Sequence, residues 1–108
     1  MRMLGDTPLE GVLVVKFHAL FCRACKAIER KYQQTATKYS DRVKFAEVEF
    51  DSNKSLCQKL GIRSLPHVQV FAADAGKIAD FSIAPLKYDT LTSLLDEHRA
   101  ALSPTVEA

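Results

Sequence analysis

The segment "GVLVVKFHALFCRACKAI" (residues 11–28) joins a run of β-branched apolar residues to two closely spaced cysteines. Residues 11–19 are almost continuously apolar and begin with glycine, which predicts a buried strand. From Cys22 onward the apolar residues recur every three or four positions, which is the period of an amphipathic helix. The two cysteines are therefore expected where a buried strand passes into a helix.

The remaining sequence predicts a further series of strands and helices. The first helix presents one apolar face, made of Cys25, Ile28, Tyr32, Ala36 and Tyr39. A second strand follows at 41–51, with Ala46, Val48 and Phe50 on one side, and then a short helix at 52–61, capped by Ser52 or Asn53 and ended by Gly61. Strands at 67–73 and 77–83 form a hairpin around a turn at 74–76.

A last helix is predicted to start near Pro85 or Leu86, and the tail at 103–108 is expected to fray. Its inward residues are Leu91, Leu94, Leu95, His98 and Leu102. The order β-α-β-α-β-β-α contains a right-handed parallel crossover followed by antiparallel strands. We therefore predict an α/β fold with a central mixed sheet and helices on both faces.

Length and composition narrow the class of protein. The chain has 108 residues, 47% apolar and 26% charged, which predicts one globular domain over residues 1–108. Its net charge is +2 and its 15 basic residues are spread along the chain, so no nucleic-acid or membrane-surface partner is expected. The longest apolar run, Val12–Val15, is too short for a membrane span, and "MRMLGDTPLEG" lacks a secretory signal. The odd number of cysteines favours a reducing compartment.

The position of the cysteine pair favours redox chemistry. The free N–H groups and dipole of a helix N-terminus stabilise a thiolate at Cys22, and Arg23 and Lys26 add positive charge. Residues three apart in a helix have Cα atoms about 5 Å from each other, within the range of a disulfide. Cys25, one turn deeper, should be shielded, so that Cys22 attacks a disulfide and Cys25 resolves the intermediate.

Two other interpretations of the cysteine pair stay open: a passive helical pair and half of a zinc site. Zinc would need two more ligands. Outside the pair the sequence offers only a third cysteine and scattered histidines, namely Cys57, His18, His67 and His98.

The sequence resembles the thioredoxin-like proteins over residues 11–100. The resemblance rests on "VVKFHALFCRACK", "FAEVEFDSN" and "LGIRSLPHVQVF". It implies the thioredoxin fold, with Pro66 in a cis peptide packed against the cysteines, and thiol–disulfide oxidoreductase activity without a cofactor, because the sulfurs carry both electrons. The implied partners are disulfide-containing target proteins and an upstream reductase or glutathione. The implied substrate-binding residues are Phe21, Arg23, Ala24, Leu65, Pro66 and His67.

Several positions depart from the pattern of that family. Phe21 stands where tryptophan is usual, Arg23 and Ala24 replace Gly-Pro, and Arg30 replaces a helix-kinking proline. Lys16 occupies the place of a buried acid that helps proton transfer. The chain is thus identified as an atypical member with a CRAC motif, similar to the plastid atypical Cys/His-rich thioredoxins. That similarity implies the plastid stroma, with the cytoplasm as the alternative.

Lys16 and Lys26 are predicted to tune the cysteines. Lys16 shares a strand face with Val12, Val14 and His18, beneath the cysteine pair, where a positive charge favours the thiolate. A stabilised reduced form makes the disulfide more oxidising, so we expect a potential less negative than that of ordinary thioredoxin. The alternative is that Lys16 extends to water and tunes nothing.

The remaining candidates each carry two interpretations. Cys57 is predicted as a small buried hydrophobe, with a regulatory or intermolecular disulfide as the alternative. His67 is placed near the substrate groove, where it could touch a partner or the cysteines, whereas His18 is predicted as a packed strand residue. For the whole protein, expected as a monomer, two other functions stay open: a non-catalytic binding module and a glutathione-dependent iron–sulfur or metal carrier.

Overall fold

The computed structural model describes residues 2–4, 11–41, 43–73 and 75–102. Strands and helices alternate through most of this part of the chain. In order they are β1 (Arg2–Leu4), β2 (Val12–His18), α1 (Arg23–Lys38), β3 (Val43–Glu49), α2 (Lys54–Lys59), β4 (His67–Ala72), β5 (Gly76–Ser82), a 3-10 helix (Pro85–Lys87) and α3 (Asp89–Leu102).

The five strands form one mixed sheet in the order β1-β3-β2-β4-β5. Strands β2 and β3 are parallel, and the other three pairs are antiparallel. Val14 of β2 lies opposite Phe45 on one side and Val70 on the other. Because β2 and β3 are parallel, the chain must cross over between them, and α1 makes that crossover. The predicted mixed sheet is confirmed.

The two faces of the sheet carry different helices, as predicted. One face packs against α1 and α3 through a core that includes Val12, Val14, Ile28, Tyr32, Phe45, Leu91 and Leu95. The other face packs against α2 through Val15, Phe17, Ala46, Val48, Cys57 and Ile62. Alternate residues of β2 and β3 therefore enter opposite cores, which explains why both strands are apolar on both sides.

Strand β1 is a correction, because the sequence analysis placed no strand in the first ten residues. Arg2–Leu4 pair antiparallel with β3, with Met3 opposite Ala46. A strand of three residues is too short to show an alternating pattern, so backbone pairing along the free edge of β3 defines it. This pairing covers an edge that would otherwise present unpaired backbone groups.

The last helix and α2 differ from their predicted bounds. The segment predicted to start the last helix, Pro85–Lys87, forms a separate 3-10 turn, and α3 begins at Asp89. Helix α2 is shorter than predicted, Lys54–Lys59, but Gly61 follows it with φ +74°, a left-handed conformation that suits glycine. The predicted inward side chain of Leu102 and the predicted fraying at 103–108 lie outside the part for which side chains or backbone are described.

Helix α1 is anchored by buried polar contacts that the apolar pattern did not reveal. The Tyr32 hydroxyl donates to the Ala46 carbonyl of β3 at 2.8 Å. The buried Thr35 hydroxyl bonds the Tyr88 hydroxyl at 2.8 Å. The first contact fixes α1 on the sheet, and the second joins α1 to the segment that precedes α3. Within the described residues, no helix is both long and apolar enough to cross a membrane.

Candidate functional site

Cys22 caps the N-terminus of α1. Its backbone is extended, with φ −82° and ψ 115°, and its Sγ accepts the Cys25 N–H at 3.1 Å. The Cys22 N–H donates to the Ala19 carbonyl at 3.2 Å, which closes the turn that follows β2. The first turn of α1 holds no acidic residue, and the thiol is half-buried. A partly accessible sulfur that receives a helix N–H is well placed to carry negative charge.

Cys25 has the opposite surroundings, because it lies one turn inward and is 4% exposed. Burial, reinforced by the hydrogen bond and charge of Cys22, raises the pKa of the Cys25 thiol to about 12. A backbone hydrogen bond from Ala19 and the charge of Lys16 act in the opposite direction and are outweighed. The structure therefore confirms the predicted asymmetry between an accessible first sulfur and a shielded second one.

An apolar groove opens on the Cys22 side of the pair. Its volume is about 400 Å³, and we call it the docking groove; it is lined by Phe21, Cys22, Phe50, Ile62, Arg63, Ser64 and Leu65. The cysteine and the loop before Pro66 thus share one surface, as the sequence predicted. The Leu65–Pro66 peptide is cis, again as predicted.

The predicted substrate-binding residues are not all in this groove. Phe21 is 75% exposed and lines it together with half-buried Leu65. Arg23 is exposed and Ala24 half-buried in the first turn of α1, whereas Pro66 is buried and its carbonyl accepts the Ile83 N–H at 3.0 Å.

His67 faces a neighbouring strand and is absent from the lining of the docking groove. Its Nε2 bonds the Asp80 carboxylate of β5, and its ring meets the edge of the Phe17 ring with centroids 6.3 Å apart. Hydrogen bonds from His67 and Lys77 hold the pKa of Asp80 below its usual range. The structure therefore gives His67 a bonding role within the β4–β5 hairpin.

Lys16 lies where it was predicted, under α1, and its side chain is buried. The residue is 2% exposed, so the alternative in which it extends to solvent is wrong. Its Nζ lies 3.4 Å from Glu47 Oε1 and 4.5 Å from the centre of the Tyr32 ring. The expectation that Lys16 makes the disulfide more oxidising stays a prediction, and the negative charge of Glu47 opposes it.

The Glu47 side chain was missed by the sequence analysis. It is 8% exposed, and it stands opposite Lys16 in the parallel pairing of β2 and β3. A buried lysine signals that an acid must lie nearby, because an unpaired buried charge is costly. The sequence could not say which acid, since the strand register decides the partner. The family pattern thus has its buried acid on β2, whereas this chain carries the lysine there and the acid on β3.

A second cavity lies on the Cys25 side of the pair. Its volume is about 120 Å³, and we call it the polar cavity; its lining includes Lys16, His18, Cys25, Lys26, Glu29 and Glu47. Both lysines predicted to tune the cysteines therefore line this cavity. Burial and the charge of Lys16 lower the pKa of His18, which keeps the imidazole neutral at neutral pH.

Cys57 is fully buried in the core beneath α2, with an exposure of 0%. Burial also raises the pKa of its thiol. The predicted role as a small buried hydrophobe is confirmed, and a disulfide to another molecule does not fit the folded state. Among the described residues, no three His, Cys, Asp or Glu side chains lie close enough to hold a metal ion.

Comparison with known proteins gives this geometry a family context. Residues 7–97 match the family model described as "Thioredoxin". The chain is 33% identical to thioredoxin 1 of Synechococcus elongatus over 86 residues, which cover 80% of this chain and 78% of that protein. It is 28% identical over 101 residues to the chloroplastic thioredoxin-like 2 of Oryza sativa, covering 94% of this chain and 44% of that protein. The chain therefore spans less than half the length of that relative.

A solved structure shows the same architecture. Thioredoxin f2 of Chlamydomonas reinhardtii superposes with a TM-score of 0.72 at 27% identity, covering 83% of this chain and 81% of that one. The same family is indicated by the relatives, by the strand order, and by the groove that Cys22 shares with the loop before the cis proline. This chain therefore belongs to the thioredoxin family, as an atypical member with a Cys-Arg-Ala-Cys motif that is similar to chloroplast thioredoxin-like proteins.

Proposed function

We propose that this protein is a thiol–disulfide oxidoreductase that reduces or exchanges protein disulfides through Cys22 and Cys25. The observation that carries the proposal is the arrangement of the two sulfurs. Cys22 is accessible and accepts a helix N–H, whereas Cys25 is buried and protonated one turn away. Membership of the thioredoxin family and the match to thioredoxin 1 support the same chemistry.

The proposed reaction has two steps and needs no cofactor. In the first, the Cys22 thiolate attacks a target disulfide, a mixed disulfide forms, and one target sulfur leaves as a thiol. In the second, the Cys25 sulfur attacks Cys22 Sγ, the bond to the target breaks, and the second target sulfur leaves. Two electrons pass from the cysteine pair to the target, so an upstream reductase or glutathione must later return them.

The docking groove is the proposed binding surface for the target. Phe21 and Leu65 offer apolar contact beside the reacting sulfur, and a docked chain excludes water from it. The exposed guanidinium groups of Arg23 and Arg63, with the ammonium of Lys26, place positive charge around Cys22. Such a surface suits targets whose disulfide lies among apolar and acidic residues.

Similarity to chloroplast thioredoxin-like proteins supports the plastid stroma as the site of action, with the cytoplasm as the alternative. The matched part is 44% of the Oryza sativa relative and 33% of the Arabidopsis thaliana relative.

Reduction of insulin disulfides by dithiothreitol, followed by turbidity, tests the proposal. We expect wild-type protein to accelerate precipitation and Cys22→Ser to abolish the acceleration. Cys57→Ser is the matched control and should retain the activity, because that thiol is buried away from the site. Wild-type protein that binds insulin without accelerating its reduction would instead identify a non-catalytic binding module.

Target proteins can be captured with the Cys25→Ser variant. Without the resolving sulfur, the mixed disulfide between Cys22 and a target should persist and be released only by added reductant. The Cys22→Ser, Cys25→Ser double variant is the control, and proteins retained by it are discounted.

A further inference from the structure

The second step of the proposed reaction requires the Cys25 thiol to lose its proton before it attacks Cys22 Sγ. The Cys25 thiol, with its pKa raised to about 12, is almost entirely protonated at neutral pH. Burial, the largest cause of this raised pKa, persists when Cys22 is joined to a target, so Cys25 stays mostly protonated in the mixed disulfide as well. Because the thiolate is the attacking species, the second step needs a group that takes the proton from Cys25.

The polar cavity brings five charged or titratable groups towards Cys25. Lys16 and Lys26 have no capacity to accept a proton while charged. Glu29 is exposed on α1. This leaves His18 and Glu47, whose Nδ1 and Oε1 atoms lie 3.8 Å apart.

His18 is the weaker acceptor of the two. It is neutral, but the adjacent positive charge of Lys16 opposes formation of an imidazolium, as the lowered pKa of His18 indicates. Glu47 and Glu49 favour the imidazolium but do not outweigh burial and Lys16. Protonation of a carboxylate, by contrast, adds no positive charge to the cavity.

Glu47 combines a fixed position with an available oxygen. Its Oε1 lies 3.4 Å from Lys16 Nζ, so the ion pair holds the side chain in place. Its Oε2 is buried and, like the Nδ1 of His18, has no hydrogen-bond partner among the described residues. Buried carboxylate oxygens are normally hydrogen-bonded, so one that is not requires an explanation.

We propose that Glu47 accepts the proton of the Cys25 thiol across the polar cavity, while Lys16 holds the carboxylate in place. This inference rests on the proposed function. Glu47 acts through Cys25 and not on the target, so it is a positioning and proton-accepting residue. A cavity of about 120 Å³ has room for water between the two groups.

The step balances without another reactant. With Cys22 joined to the target, the proton of Cys25 Sγ passes to Glu47 Oε2, directly or through water. The Cys25 thiolate then attacks Cys22 Sγ, a Cys22–Cys25 disulfide forms, and the Cys22–target bond breaks. The departing target sulfur takes this proton from the Glu47 carboxylic acid, directly or relayed through water, which returns Glu47 to its carboxylate form.

Stopped-flow reaction of the reduced protein with dithiobis(nitrobenzoate) separates the two steps. This symmetrical disulfide should release one coloured thiolate when Cys22 attacks, at a rate that depends on reagent concentration. A second should be released when Cys25 resolves the intermediate, at a rate that does not. Every variant carries Cys57→Ala, so that only the cysteine pair reacts.

We expect Glu47→Gln to slow the second release by at least about tenfold at pH 7, as for loss of a general base, and to leave the first within about twofold. The second release should be nearly independent of pH around neutrality in the parent protein. In Glu47→Gln it should rise about tenfold per pH unit, because only solvent base is left to remove the proton. A purely structural role for Glu47 would not change this slope.

Two further variants test other causes of a slower second release, namely an unpaired charge on Lys16 and the loss of any carboxylate from the cavity. Glu47→Gln leaves Lys16 buried without its partner, so the Lys16→Met, Glu47→Gln double variant removes both charges and should show the same slow, pH-dependent second release. Glu29→Gln removes the other carboxylate of the cavity and should leave the second release within about twofold, since general-base loss alone costs far more.

Other results would overturn the inference. One is a second release in Glu47→Gln whose rate and pH dependence are unchanged. Another is an equal slowing of both releases in that variant. A third is a tenfold rise per pH unit in the second release of His18→Gln or Glu29→Gln instead of Glu47→Gln. A parent protein that releases only one thiolate would refute the proposed function itself, which distinguishes the two failures.

Discussion

Two cysteines three residues apart acquire different chemistry because one stands at the end of a helix and the other inside its first turn. Cys22 is half-buried and receives the N–H of Cys25. Cys25 is buried, and burial makes its charged form unfavourable. A one-turn displacement along the helix is thus enough to separate a partly exposed sulfur from a shielded one.

The raised pKa of Cys25 predicts slow alkylation. The Cys22→Ser substitution removes the contribution of the Cys22 thiol, but burial, the largest cause of the raised pKa, remains. We therefore expect iodoacetamide to modify Cys25 in the Cys22→Ser variant at least about tenfold more slowly than free cysteine at pH 8. Peptide mapping by mass spectrometry would measure the rate.

The rate at Cys25 should rise with pH well beyond pH 9, where the modification of an ordinary thiol levels off. Cys25→Ser is the matched variant, and its Cys22 should react readily because it is partly exposed. Modification of Cys25 at the rate of free cysteine would show that burial does not control this thiol.

Among the elements, β2 and β3 hold the most consequential contact. Their parallel register places Lys16 opposite Glu47, and α1 covers the pair through the Tyr32 ring. Removing one member of a buried ion pair leaves the other charge without compensation, which costs more than removing both. The two strands are therefore coupled electrostatically as well as by hydrogen bonds.

Exchange of the two charges tests this coupling. Lys16→Glu places two carboxylates side by side and should lower the free energy of unfolding by about 3–5 kcal/mol. The Lys16→Glu, Glu47→Lys double variant restores opposite charges and should recover most of that loss. Urea denaturation of the reduced protein at neutral pH would provide the values.

The Lys16→Met, Glu47→Gln variant serves as the uncharged control and should stay close to the wild type in stability. If the Lys16→Glu, Glu47→Lys double variant is as unstable as Lys16→Glu alone, the shape of the two side chains rather than their charge determines this contact.

At the scale of the whole molecule, β1 completes the sheet by covering the free edge of β3. The residues of β1 lie far along the chain from β3, and they pair with it at Glu47, Ala46 and Phe45. An uncovered edge strand presents backbone groups that can pair with another molecule. Three residues at the start of the chain thus protect the strand that carries Glu47.

Deletion of residues 1–4 should therefore lower stability and promote self-association. We expect a loss of about 1 kcal/mol for each strand hydrogen bond removed, together with larger species in size-exclusion chromatography. Replacement of Arg2–Leu4 by three alanines keeps the backbone groups and should retain most of the stability. A monomeric deletion variant of unchanged stability would show that β1 contributes little.

The sequence by itself predicted most of the strands and helices and the position of the cysteine pair. Apolar periodicity located β2, α1, β3 and the β4–β5 hairpin, because each buries a face whose repeat is visible in a short stretch of chain. The spacing of Cys22 and Cys25 and the segment ending at Pro66 indicated the chemistry, because those signals are local as well. The sequence allowed two positions for the Lys16 side chain, beneath the cysteine pair or extended to water.

Tertiary structure decided which distant residues meet. The partner of Lys16 is Glu47, and it depends on strand register, which is set by the packing of the whole sheet and not by the residues on either side of the lysine. The same holds for β1, for the Thr35–Tyr88 contact and for the polar cavity, which unites residues of β2, β3 and α1. Local patterns specify what each segment forms, whereas long-range pairing specifies which charged groups face the buried sulfur.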